Sequence, residues 1–172
     1  MQSIAPFPVI VAEEILTPHG EIMGMFLKEG IPRGLSVEET ISRIRAQGGL
    51  ICIPHPFSIF RTSVLDSEIL EELVGQGQID IIEVFNARSI LHRSSAKAQI
   101  FAQKYGIPGS AGSDAHTLYE VGNGYVEMPE FNGKGDFLSA LAEGKVFGHR
   151  TNPLVHLNSV WARLKSNLKI EG

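Results

Sequence analysis

Four side chains stand out for the chemistry their types allow: Glu14, His55, Asp114 and His116. Carboxylates mixed with imidazoles, without a cluster of thiols, form a donor set for divalent ions such as Mn²⁺, Zn²⁺ or Fe²⁺, which accept oxygen and nitrogen ligands together. Asp114 and His116 follow Gly112-Ser113, so two ligands at i and i+2 share an extended loop where glycine lets the backbone approach closely. An Asx-turn beside a surface histidine is the other reading of that loop, because aspartate commonly hydrogen-bonds its own backbone. His55 lies between Pro54 and Pro56, and a lone histidine beside a buried strand is more often a satisfied core residue than a ligand. Glu14 interrupts the apolar run PVIVAEEIL, where a carboxylate is costly to desolvate unless a cation or donor receives it. Its neighbour Glu13 alternates to the other face and reads as solvent-facing.

These residues need elements to place them. The runs at 8–16 and 21–27 read as two adjacent strands joined by the turn Thr17-Pro18-His19-Gly20. Ser36 with Glu39 forms a capping box that opens a helix over about 37–47, stopped at Gly48-Gly49. LICIP at 50–54 is a short buried strand. Asp66 caps a helix over about 67–75, and IDIIEVF at 79–85 is apolar on both faces, as a parallel strand covered by helices must be. Ser94 or Ser95 begins a third helix closed by Gly106, and IPGSAGSDAH supplies a strand and a glycine-rich loop. Strands at 124–128 and 146–149 flank a helix near 135–143, and SVWARLKSNLK makes a terminal amphipathic helix in the extension 151–172. Alternating strands and helices predict right-handed βαβ units and a mostly parallel sheet, whose chemistry gathers in the loops after the strands. Glu14, His55, the segment Glu83 to Asn86, and Asp114 with His116 all fall at or near such strand ends.

The 172 residues suit one domain, spanning 1–172, but fall short of a complete eight-fold barrel of roughly 250 residues. A net charge of −4 without a Lys/Arg run argues against a surface that grips a nucleic-acid backbone. No apolar stretch approaches the roughly 20 residues of a membrane span. Cys52 is alone and the N-terminus lacks the pattern of a signal peptide, which together predict a cytoplasmic protein.

Three segments, GGLICIPHPF, IIEVFNAR and GIPGSAGSDAHTLYEVG, strongly resemble the polymerase and histidinol phosphatase (PHP) domain family over roughly residues 8–150. The resemblance implies an α/β fold, here an incomplete distorted (β/α)7 TIM-like barrel of mostly parallel strands. It also implies divalent metal ions, Mn, Zn or Fe, up to three in a complete site, and hydrolysis of phosphate esters. By the same resemblance Glu14 matches a carboxylate bridging two metals, His55 the histidine of the His-Pro motif, and Asp114 and His116 the final ligand pair. Many members carry a histidine in the strand after the bridging glutamate, where this chain has Glu21. Glu21 is then a substitute or supporting ligand, or alternatively a strand-end charge. Arg61 and Arg88 follow strand ends and are placed to clamp a phosphate by paired hydrogen bonds, with solvated loop arginines as the other reading. Asn86 is placed to orient a ligand or a phosphate oxygen. His19, His92, His149 and His156 read as turn, helix-start or surface residues.

The family opens with a His-x-His strand, an aspartate and a further histidine, and none of these precedes Glu14. Two expectations follow: an N-terminally truncated copy, or a degenerate member whose site is completed by another subunit. The expected activity is metal-dependent hydrolysis of a small phosphorylated metabolite or nucleotide. The alternatives are a catalytically impaired binding or oligomerising module, and a nuclease or polymerase-associated domain. A truncated barrel also leaves an unpaired edge near 8–16, which predicts association of copies.

Overall fold

The computed structural model describes residues 4–151. The helix expected within SVWARLKSNLK and His156 lie outside these residues. Among the described residues, seven strands and four helices follow one another: β1 (Ala12–Thr17), β2 (Gly20–Met25), α1 (Val37–Ala46), β3 (Leu50–Ile53), α2 (Ser67–Gly75), β4 (Ile81–Asn86), α3 (His92–Tyr105), β5 (Gly109–Gly112), β6 (Gly124–Glu127), α4 (Lys134–Ala142) and β7 (Lys145–Gly148). A single 3-10 turn, Leu118–Glu120, separates β5 from β6.

The chain opens with a tight hairpin. Thr17 pairs with Gly20 around Pro18 and His19, and the Thr17 hydroxyl donates to the Gly20 carbonyl at 2.7 Å. Gly20 has φ 121°, and a Cβ there would collide with the backbone of Val64 and Leu65, so this position takes only glycine. β1 begins four residues later than the apolar run suggests, because its partner β2 ends at Met25, opposite Ala12, where Phe26 with φ 60° turns the chain away.

Strands are ordered β1-β2-β3-β4-β5 in one mixed sheet, while β6 and β7 form a separate antiparallel pair. The hairpin is antiparallel and joins β3 antiparallel; β3, β4 and β5, linked by α2 and α3, run parallel. Neither sheet closes on itself among the described residues, so the fold is an open α/β sheet and not a closed barrel.

Alternation along the strands sorts side chains to two faces. Ile15, Ile22, Ile51, Ile53, Ile82 and Val84 form the main core with stripes from α1 (Ile41, Ile44), α2 (Leu70, Leu73) and α3 (Ala98, Ala102). The opposite face carries Leu50, Cys52 and Ile81 under Phe137 and Leu141 of α4, with Val126 of β6 packed alongside. Placing α1, α2 and α3 on one face leaves the other face free, beyond α4, at the C-terminal ends of the parallel strands.

Helix ends show how local signals compete. Ser36 caps α1, its Oγ accepting the Glu39 N–H at 3.2 Å, but the Glu39 carboxylate turns to Arg43 at 2.7 Å, so only half of the expected box forms. Replacing Ser36 by alanine is expected to cost about 1 kcal/mol, seen as a fall of roughly 2–4 °C in Tm; an unchanged Tm contradicts the cap. Asp66 precedes α2 but makes no side-chain cap, because its carboxylate meets His19 Nδ1 at 3.0 Å. α3 starts at His92, earlier than either serine expected to open it, and Ser95 Oγ instead accepts from Arg150 at 3.2 Å.

A candidate metal centre at the strand ends

Glu14 and Glu21 come from the opening hairpin. Glu14 pairs with Met23 and Leu16 with Glu21, so the two carboxylates lie diagonally on one face, opposite the buried Ile15 and Ile22. Since β2 runs antiparallel to β3, Glu21 stands beside the end of β3, where His55 follows two residues later. One ligand atom from each of Glu14, Glu21 and His55 lies within 4.8 Å of the others. His55 Nε2 is 3.3 Å from Glu21 Oε2 and 3.9 Å from Glu14 Oε1.

His55 is the centre of the arrangement. Its side chain is fully buried, yet neither ring nitrogen has a hydrogen-bond partner. A buried imidazole lacking partners is costly, and one facing two carboxylates is a donor group awaiting a cation. Its backbone has φ 33°, and Asp114 has φ 50°; with Phe26 these are the positive-φ residues other than glycine among those described. Strained backbone of this kind concentrates at functional sites. A divalent ion therefore fits the residues present: an orphaned buried nitrogen and two oxygen donors of hard to borderline character.

Glu14 reaches the cluster for a reason other than the one its sequence suggested. Among the described residues β1 is an edge strand, and the Glu14 side chain is 38% exposed, so desolvation places no demand on it; proximity to His55 does. Glu13 is exposed, with Oε2 accepting the Ile31 N–H at 3.0 Å.

Glu83 takes a part that its strand pattern alone did not reveal. It is 7% exposed, and its Oε2 accepts the His55 N–H at 2.7 Å and an Asn86 Nδ2–H at 3.1 Å. A carboxylate inside an apolar strand is costly to desolvate, a signal that fits the buried Glu83 better than the exposed Glu14. Burial pushes its carboxyl above the usual range, opposed by the nearby His55 ring and by these hydrogen bonds. The β4–β5 ladder slips beside it, between Glu83 and Phe85, and such irregularities re-aim side chains near functional sites. Glu21 behaves oppositely: burial raises its pKa, but the His55 ring 3.3 Å away, the Ser63 hydroxyl donating at 2.7 Å and the Arg61 charge hold it below the usual carboxylate range.

Asp114 and His116 lie outside the three-residue cluster but are tied to it. The Asp114 carboxylate is ion-paired with Arg61, and Asn86 Nδ2 approaches it at 3.4 Å. His116 Nδ1 is 2.9 Å from the Asp114 carbonyl, and its ring is 40% exposed. Asn86 thus bridges Glu83 and Asp114, and its Oδ1 accepts the Arg88 N–H at 3.0 Å. Arg88 is not a solvated loop residue. It is buried beside Glu120, with Nε 3.3 Å from Oε1, because the turn after β4 folds beneath the 3-10 turn. Burial also raises the Glu120 pKa, but the His116 amide, Thr117 and Arg88 together hold it below the usual range. His19 sits in the hairpin turn, His92 opens α3, and His149 follows β7.

Parts of the chain are shared with known proteins. Residues 92–146, from α3 to β7 and including Asp114 and His116, match the family model described as PHP-associated. Two uncharacterized proteins of Methanocaldococcus jannaschii are similar: one is 42% identical over 124 residues, covering 72% of this chain and 52% of the relative. The other is 46% identical over 79 residues, covering 46% and 43%. The chain spans about half the length of the curated relatives it matches. Among solved structures, a two-domain protein containing a predicted PHP-like metal-dependent phosphoesterase from Bacteroides vulgatus superposes with a TM-score of 0.62 at 18% identity, over 81% of this chain and 44% of that one. PsfC from Pseudomonas syringae gives 0.61 at 17%, over 90% and 65%. No helix among the described residues is long and apolar enough to cross a membrane. Residues 92–146 thus carry the PHP-associated pattern, and the described residues share their fold with the Bacteroides protein.

Proposed function

We propose that the protein is a metal-dependent phosphoesterase acting on a small phosphorylated substrate, a metabolite or a nucleotide. The observation that carries this reading is the buried His55 ring, without hydrogen bonds and facing Glu21 at 3.3 Å and Glu14 at 3.9 Å. Glu14, Glu21 and His55 hold the first ion, Mn²⁺, Zn²⁺ or Fe²⁺, and Asp114 and His116 serve further ions in a site of up to three. Such ions supply Lewis-acid polarisation of a phosphoryl oxygen and acidify a water. Arg61, paired with Asp114 in the structure, exchanges that carboxylate for the substrate phosphate, which its guanidinium matches in geometry. Asn86 orients Asp114, and Glu83 fixes the backbone of His55. The net charge of −4 favours a small substrate over a nucleic-acid backbone.

Titration of chelator-stripped protein with Mn²⁺ or Zn²⁺ is expected to show saturable binding of at least one ion, with hydrolysis of p-nitrophenyl phosphate or nucleoside monophosphates following occupancy. No saturable binding overturns the reading. A second reading, a binding module with impaired chemistry, is favoured by the engagement of Asp114 with Arg61; ion binding without turnover of any phosphomonoester selects it.

A further inference from the structure

The 3-10 turn after His116 is anchored in an unusual way. Leu118 and Tyr119 are 90% and 95% exposed, whereas Glu120, the third residue of the turn, is 1% exposed. The turn has almost no apolar packing of its own, and its buried member is a carboxylate. Glu120 Oε2 accepts the His116 N–H at 3.0 Å and the Thr117 hydroxyl at 3.0 Å, while Oε1 lies 3.3 Å from Arg88 Nε. Arg88 is itself fixed to the end of β4, its N–H donated to Asn86 Oδ1. Asn86 in turn reaches Glu83 and Asp114.

We propose that Arg88 and Glu120 form a positioning pair that clamps the Asp114–Glu120 loop onto the end of β4 and so sets where His116 is presented. Neither residue contacts substrate; both act through the backbone of His116 and the loop that carries it. A buried ion pair is weak support for stability, since desolvation opposes the attraction between its charges. Its value here lies in direction, because a paired carboxylate with two further donors fixes the loop in one geometry. The functional consequence rests on the phosphoesterase reading; the structural one does not, and the test separates them.

Hydrogen exchange of the full chain, with and without Mn²⁺, reads the clamp directly. In Glu120→Gln and Arg88→Met, amides of residues 116–121 are expected to exchange at least about tenfold faster, while amides of β3, β4 and β5 keep the parental rate. Arg88→Lys retains the charge and is expected to recover most of that protection. Thr117→Val removes one donor without emptying a buried volume, and is expected to accelerate the same amides by about threefold, which keeps the test open if the buried variants fold poorly. Where the parent shows turnover, Glu120→Gln lowers kcat by about tenfold, in the range of losses from groups behind a ligand, with KM changed by less than about twofold because no substrate contact is lost. Unchanged exchange at 116–121 in Thr117→Val and Glu120→Gln, or acceleration spread evenly over the sheet, overturns the clamp. Absence of turnover in the parent, with local acceleration intact, overturns the phosphoesterase reading and leaves the clamp standing.

Discussion

His55→Ala is expected to weaken divalent-ion binding by more than about 100-fold, beyond the roughly 10–100-fold typical when a group supporting a ligand is lost. The imidazole is the buried nitrogen donor of the cluster, and without it Glu14 and Glu21 remain as two carboxylates, one of them 38% exposed. Calorimetric titration with Mn²⁺ measures this directly. Thermal shift gives a second readout, since an ion present at 100 times its Kd stabilises the native state by about 2.7 kcal/mol, and the variant should lose that increment. His55→Gly should bind as poorly but fold about 1 kcal/mol more favourably than the alanine variant, because φ at this position is 33° and glycine adopts it without a Cβ penalty. Parental affinity in both variants refutes the assignment of His55 as a ligand.

Gly112→Ala is the second large effect. A Cβ at 112 would overlap Glu83 Oε1. The end of a glutamate side chain would ordinarily swing aside, but this one is buried and holds the His55 and Asn86 N–H groups. Displacing it leaves two donors unsatisfied beneath the site, at a cost of about 1–3 kcal/mol. Each kcal/mol lowers Tm by roughly 2–4 °C in a chain of this size. Gly135→Ala, where an added Cβ meets nothing within 4 Å, serves as the contrast and should be neutral or slightly stabilising. If both substitutions behave alike, Gly112 is not the groove that admits Glu83.

The same carboxylate sets a pH dependence in the metal-free protein. Burial raises the Glu83 pKa above its ordinary value of 4.5, so the native state holds this proton more tightly than the unfolded chain. Its contribution is therefore fully present below that value and is lost as pH rises through the folded pKa. Glu83→Gln removes the term, so the denaturation midpoint of the parent should fall relative to that of the variant as pH rises above 4.5. A difference between the two that stays constant with pH above 4.5 contradicts the burial argument.

Much of this arrangement is legible in the chain. Alternating strand and helix patterns forced βαβ units, and that topology directs attention to the ends of β3, β4 and β5, where His55, Asn86 and Asp114 stand. What could not be read depends on partners distant in sequence. The apolar strand around Glu14 argues for a cation at its carboxylate, but whether a strand is an edge is decided by pairing, and β1 pairs on one side only among the described residues. Asp66 matched a helix cap until His19, 47 residues away, took its carboxylate. Arg88 reads in the sequence as a phosphate clamp or a solvated loop arginine, because nothing nearby announces that Glu120 folds over it. Of the incomplete TIM-like barrel that the family resemblance implied, the described residues show the mixed α/β sheet with its parallel strands β3, β4 and β5, and no sheet closes among them.

The opening hairpin also bears on the order in which the site is assembled. Glu14 and Glu21 meet across a ladder whose strands are joined by two residues, a local closure of the kind that forms in about 1–10 μs. His55 and Glu83 join them only after β2, β3 and β4 have paired across longer connections, contacts of high sequence separation that form more slowly. The folding chain thus brings two negative charges together before the groups that organise them arrive. Divalent ions present during refolding are accordingly expected to speed the late pairing steps more than the early ones.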